Sequence, residues 1–293
     1  MCNASRPLLV CLFTLTAALA CGAAGCTSAV TQLQRGKTLD RLQFEVNVGM
    51  SAPISGKAVQ SVIDAEDALK QRIDSATSQG TALTDDDARA LTEVAAAVLL
   101  FTPIPSTELS VRGGIGWGVD VGLRLTGPRT QLDVKWQALD ARQHGLDLGL
   151  SLAVASHSSP APSLWESAFS VAESLKIAEY QRRDVTLSLI GSRDFNPMFS
   201  AWFALAYSRS SIVIGSALQG AAAKANIDAS ALEIDEVMHQ YGGQLGCRVG
   251  YKYVFLLIEL SVMQADFSPT ILGEKLNLSG PIITPSIALQ ATF

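Results

Sequence analysis

From Leu42 to Met50 every even position is apolar and every odd position is polar or glycine. Successive side chains of a strand point to opposite faces, so this period of two describes a β-strand with one greasy side. The same pattern returns in a nearly unbroken series between residues 107 and 155. Leu109, Val111 and Ile115 alternate with Glu108, Ser110 and Arg112. After Gly116-Trp117-Gly118, the residues Val119, Val121, Leu123 and Leu125 alternate with Asp120, Gly122 and Arg124. Beyond Gly127-Pro128, Leu132, Val134 and Trp136 oppose Asp133, Lys135 and Gln137. Leu146 to Val154 then oppose Asp147, Gly149, Ser151 and Ala153. Glycine and proline at the reversals make this a meander of hairpins.

Later segments repeat the pattern less cleanly. Val185, Leu187 and Leu189 oppose Thr186 and Ser188; Phe203, Leu205 and Tyr207 oppose Ser200, Ala204 and Ala206, with Ile190 and Trp202 breaking the rule. Tyr241, Leu245, Cys247, Val249 and Tyr251 face away from Gln240, Gln244 and Arg248. Val254, Leu256, Ile258, Leu260 and Val262 face away from Glu259 and Ser261. The chain closes with Ile283, Ile287, Leu289, Ala291 and Phe293 on one face and Thr284, Ser286, Ala288, Gln290 and Thr292 on the other.

That makes ten strands, with connections alternating between a long side (51–106, 157–182, 209–238, 266–281) and a short side (near 116, 140–145, 192–197, 251–252). The tight Gly127-Pro128 reversal is the exception on the long side. The expectation is an all-β, antiparallel up-and-down transmembrane β-barrel spanning 41–293, with a helical insertion at 53–104. Within that insertion Val59, Val62, Ile63, Leu69 and Ile73 sit at helical spacing. Thr84 and Asp87 form a capping signal before a second stripe from Leu91 to Leu99.

Alternation alone fits a soluble lipocalin-like barrel that encloses a ligand equally well, because turning the barrel inside out leaves the string unchanged. Residue chemistry separates the two. The apolar rows are Leu, Val and Ile, with Trp117, Trp136, Tyr207, Tyr241 and Tyr251 near strand ends, where membrane-interface aromatics belong. The opposite rows carry Glu45, Glu108, Asp120, Asp133, Asp147 and Glu259 with Arg112, Arg124, Lys135 and Arg248. Six acids and four bases directed into a narrow lumen are expected to pair with one another and plug it, since buried charge persists only when compensated.

The terminal strand resembles the closing strand of a Gram-negative outer-membrane β-barrel. The run Glu108 to Asp147 resembles the repeated hairpins of uncharacterised outer-membrane β-barrel lipoproteins, a likeness that covers residues 22–293. It implies fold and a location in the cell outer membrane, and it carries over no active-site residue.

The N-terminus adds an export signal. Arg6 precedes an apolar stretch from Leu8 to Ala20, too short to span a bilayer. Residues 1–25 therefore read as a signal peptide and 26–40 as a lipidated linker beginning at Cys26, since Ala23-Ala24-Gly25-Cys26 resembles a lipobox. Ordinary cleavage after Ala18-Leu19-Ala20, before Cys21, is the competing reading. Cys26 and Cys247 then remain; with Cys26 acylated no intramolecular disulfide can form, and Cys247 is expected on the lipid-facing side.

Composition excludes several roles. A net charge of −5 without a basic run gives no electrostatic reason to bind nucleic acid. Gly113-Gly114-Ile115-Gly116-Trp117-Gly118 is followed by a strand rather than by the helix that a phosphate loop requires. His144, His157 and His239 are far apart and lack metal-ligand spacing, so no metal or cofactor is expected. Ser156-His157 supplies the residue types of an outer-membrane esterase or phospholipase, but adjacent strand residues point apart. Asp85-Asp86-Asp87 suits a helix start better than a calcium site. The expected protein is non-enzymatic, with a structural, surface-interaction or narrow transport role. Its expected partners are outer-membrane lipid, the barrel-assembly machinery and a surface ligand of unspecified kind.

Overall fold

A computed structural model describes residues 30–55, 105–159, 179–215, 234–271, 274–275 and 277–293. The signal segment, Cys26, the helical stripes of 56–104, Asp85-Asp86-Asp87 and residues 216–233 lie outside the described residues.

Ten strands close on themselves: β1 (Phe44–Ser51), β3 (Ser106–Gly116), β4 (Val119–Thr126), β5 (Arg129–Leu139), β6 (Asp147–Ser159), β7 (Glu179–Asn196), β8 (Phe199–Gly215), β9 (Ile234–Tyr251), β10 (Val254–Asp266) and β13 (Gly280–Thr292). Each pairs antiparallel with the next, and β13 returns to β1 with Val48 opposite Leu289. A two-residue β2 (Ile54–Ser55) extends the pairing of β13. β11 (Thr270–Ile271) and β12 (Glu274–Lys275) form a small hairpin outside the barrel. At 54–55, then, the segment expected to be a helical insertion begins as strand.

Both ends of the barrel are set by local chemistry. At the turn end, Gly116, Trp117 and Gly118 all adopt positive φ (103°, 55° and 70°) to reverse the chain between β3 and β4. Glycine is the residue that takes this region without steric cost. The one-turn helix α1 (Ala141–His144) bridges β5 and β6 at the same end. Its Asp140 cap accepts from the Arg142 amide, and it stops at Gly145. The turns at 197–198 and 252–253 and the end of β13 also lie at this end, while the connections after β1, β6, β8 and β10 leave from the opposite, loop end.

The alternation resolves as an apolar exterior. Leu132, Val154, Leu205, Leu245 and Ile258 are exposed, Leu245 at 67%. Asp120 and Lys135 are buried at 0% and 2%. The orientation required by a lipocalin-like soluble barrel is thus reversed. At the turn end the outer surface carries Phe44, Trp117, Trp136, Phe195, Tyr251 and Phe293, all exposed. Toward the loop end Tyr207 stands opposite Tyr241 on β8 and β9. Cys247, a free thiol, lies half-buried in the outward row of β9.

Candidate functional site: the occupied lumen

A stretch of the chain's own N-terminal part lies inside the lumen. Residues 30–40, expected to be a linker outside the barrel, run along the interior, where Val30, Leu33 and Leu39 are buried. They form no ladder with any strand; instead the wall supplies partners to the strap's main chain at point after point. Near the turn end, Asp120 accepts the Leu39 amide at 3.3 Å and Gln137 the Thr38 amide at 2.9 Å. The Lys135 ammonium donates to the carbonyls of Arg35 and Lys37 at 2.9 and 3.0 Å. Ser192 accepts the Gly36 amide at 3.0 Å.

Deeper in, Glu259 accepts the amides of Gln32 and Leu33 at 2.9 and 2.8 Å and the Trp202 indole N–H at 3.0 Å. Arg124 donates to the carbonyls of Thr31, at 2.7 Å, and Gln32. At the far end the Val30 carbonyl accepts from Gln244 at 2.7 Å and Ser261 at 2.9 Å. A main chain buried without a ladder leaves costly orphan amides and carbonyls, and these side chains satisfy them.

Packing follows the same path. Leu33 sits at φ 45°, a left-handed conformation that costs a leucine about 1–2 kcal/mol. Holding it there are the Glu259 carboxylate and an apolar cluster of Ile190, Trp202, Ala204, Phe255, Leu257 and Ala288. Ile190 and Trp202, which break the alternation, point inward with Phe255 and Leu257 because this strap gives them an apolar partner. The approach is also tight at Gly36 and Gly149: a Cβ on Gly149 would lie 2.5 Å from the Gly36 carbonyl oxygen, and one on Gly36 would penetrate the Ile190 carbonyl.

The ten lumen charges therefore do not simply neutralise one another, which corrects the expected plug of mutually paired side chains. Arg112 bridges Asp120 and Asp133, and Lys135 stands 3.2 Å from Asp120. Arg124 lies 3.8 Å from Glu108, a long pair, because its guanidinium is turned to the strap. Glu45 meets Arg35 of the strap at 3.4 Å, a cation from the expected linker rather than from the ten; Arg35 also pairs with Asp194 at 2.9 Å.

Three more of the ten are met by neutral groups. Glu259 is met by N–H donors, as above. Asp147 accepts from Gln137 and the Ala141 amide at 2.9 and 2.8 Å. Arg248 donates to Ser200 and Gln290 at 3.2 Å each and lies 4.0 Å over the Phe255 ring. Nearer the loop end a further cluster, absent from the expected set, joins Asp184 to Arg129 at 3.0 Å and Arg182 at 2.6 Å. Its signal was a charged Arg182-Arg183-Asp184 run read as the edge of a connection rather than as the start of a strand.

Among the described residues, the histidines do not meet a serine and a carboxylate in a catalytic arrangement. Ser156 faces outward and His157 inward, so they do not meet as nucleophile and base. His144 is exposed on α1, and His239 Nδ1 and the Tyr207 hydroxyl share a hydrogen bond of 2.8 Å on the outer face. No group of three His, Cys, Asp or Glu residues suited to a metal ion occurs among the described residues.

No protein-family model and no curated protein matches this chain. Similar solved structures include Neisserial surface protein A (8% identity over 86% of this chain and 95% of that one, TM-score 0.33). Ail, the attachment invasion locus protein of Yersinia pestis, is 6% identical over 86% and 99%, with a TM-score of 0.33. The outer membrane protease OmpT from Escherichia coli is 9% identical over 91% and 99%, with a TM-score of 0.38. The closed strand order and register, rather than these likenesses, define the architecture. A closed barrel leaves no unpaired edge in lipid, and an apolar belt with a charged interior is the form in which β-strands cross a bilayer. The chain is an integral β-barrel of the cell outer membrane.

Proposed function

We propose that this barrel is a closed, non-conducting and non-enzymatic surface protein, whose role in the outer membrane is structural or one of surface interaction. The supporting observation is the strap: Val30 to Asp40 occupies the interior and is hydrogen-bonded to the wall from Asp120 near one end to Ser261 toward the other. Barrels of eight strands already have interiors that side chains nearly fill, so an added peptide strand at ten leaves little space for solvent. The charged rows serve this packing by compensating main-chain groups rather than by lining a selective path.

Acylation at Cys26 and insertion by the barrel-assembly machinery belong to the same reading; the intact mass of the mature protein reads the former. The decisive measurement is planar-bilayer recording of the purified full chain. No unitary current is expected. Reproducible ion-selective steps would replace the closed barrel with a narrow transport role.

A further inference from the structure

The strap has a direction. Asp40 lies at the turn end, where a Cβ on Gly114 would run into the Asp40 carbonyl, and Leu39 is bonded to Asp120, one residue into β4. Val30 lies beside Ser261, next to Val262, the last apolar outward position of β10 before Gln264 and Asp266. On β9 its partner Gln244 is three residues from Tyr241, the outward aromatic paired with Tyr207 on the loop side. Ser261 lies seven residues along β10 from Val254 at the turn end and stands beside Val262, the far end of that strand's outward apolar row, so the strap follows this row from one end to the other. The strap therefore crosses the membrane inside the barrel, entering at the turn end and ending at the margin of the belt nearest the loops.

We propose that the lumen is a binding channel for an extended polypeptide, and that its occupant is the chain's own N-terminal arm, which it delivers to the loop face. The residues preceding Val30 then lie on the cell-surface side, opposite the turn end from which β1 starts. Lumen groups hold that arm by its backbone: the carboxylate of Glu259 takes two consecutive amides and the guanidinium of Arg124 two consecutive carbonyls. Cys26 stands only four positions before Val30, a reach of at most about 14 Å, which is too short to return the length of the strap to the turn end. An acyl group on Cys26 would accordingly anchor at the outer surface.

This rests on the barrel reading, and the test separates the two. Cysteines are placed singly in the full-length chain by Ser28→Cys on the arm, Ser268→Cys at the exposed loop end and Gln143→Cys on exposed α1 at the turn end. Cells are treated, intact or with the outer membrane permeabilised, with a polymer-linked maleimide too large for porins, and each labelled thiol is located by peptide mass mapping. The expected result is labelling of Ser28→Cys and Ser268→Cys on intact cells, and of Gln143→Cys only after permeabilisation. Ser28→Cys behaving like Gln143→Cys, or staying unlabelled in both states, would overturn the threading. Loss of the contrast between Ser268→Cys and Gln143→Cys would instead overturn the barrel's placement in the membrane, and the threading with it.

Discussion

At the residue scale, the interior works because each ionised group has a stated partner. Arg112 is the clearest case: it joins Asp120 and Asp133 from two neighbouring strands, and all three are buried. Removing the cation leaves Asp133 without its counter-charge while Asp120 keeps Lys135. Breaking a buried pair in this way costs about 3–5 kcal/mol. Arg112→Leu should lower the urea midpoint of the barrel in detergent micelles accordingly, and Arg112→Leu combined with Asp133→Leu should recover part of the loss. Equal destabilisation by the single and double variants would show that the pair is not coupled. Arg112, Asp120 and Asp133 were legible in the string because each occupies a polar position of a clean alternation. Trp202 and Ile190 were visible only as irregularities, since nothing within their own strands states what they pack against.

At the scale of elements, the strands and the strap are opposite cases. A strand announces itself by its period. The strap has no period, carries polar Thr31, Gln32 and Gln34 among its apolar residues, and reads as linker. Its partners lie up to 231 residues away along the chain, so no local signal records them. Midway along the strap, Gly36 lies so close to Ile190 and Gly149 that a side chain has no space. Gly36→Val should expel the strap while leaving the ten-strand ladder closed. Trypsin should then cut at Arg35 or Lys37 in a barrel that still migrates as folded in an unheated gel, and bilayer recordings should acquire current steps absent from the unsubstituted protein. Continued resistance at both sites would show that the wall can yield around the valine.

Across the whole molecule, the solvent of each face decides the energetics. The outward Leu and Val rows are stable because acyl chains surround them, and arginine near the midplane of such a face costs about 2–4 kcal/mol. Leu245, highly exposed on β9, is a fitting site. Leu245→Arg should reduce the folded fraction recovered in lipid vesicles, while Leu245→Ala should fold nearly as well as the parent. Insensitivity to the arginine would mean that this row does not meet lipid.

By itself the sequence determined the all-β class, the face of most strand side chains and the apolar exterior, because a period of two is local and survives without knowledge of any partner. Only the tertiary structure decided what occupies the centre. Closing the sheet brought Glu259, Arg124 and Lys135 around one stretch of chain, and their hydrogen bonds to its main chain depend on distances that no short-range pattern encodes.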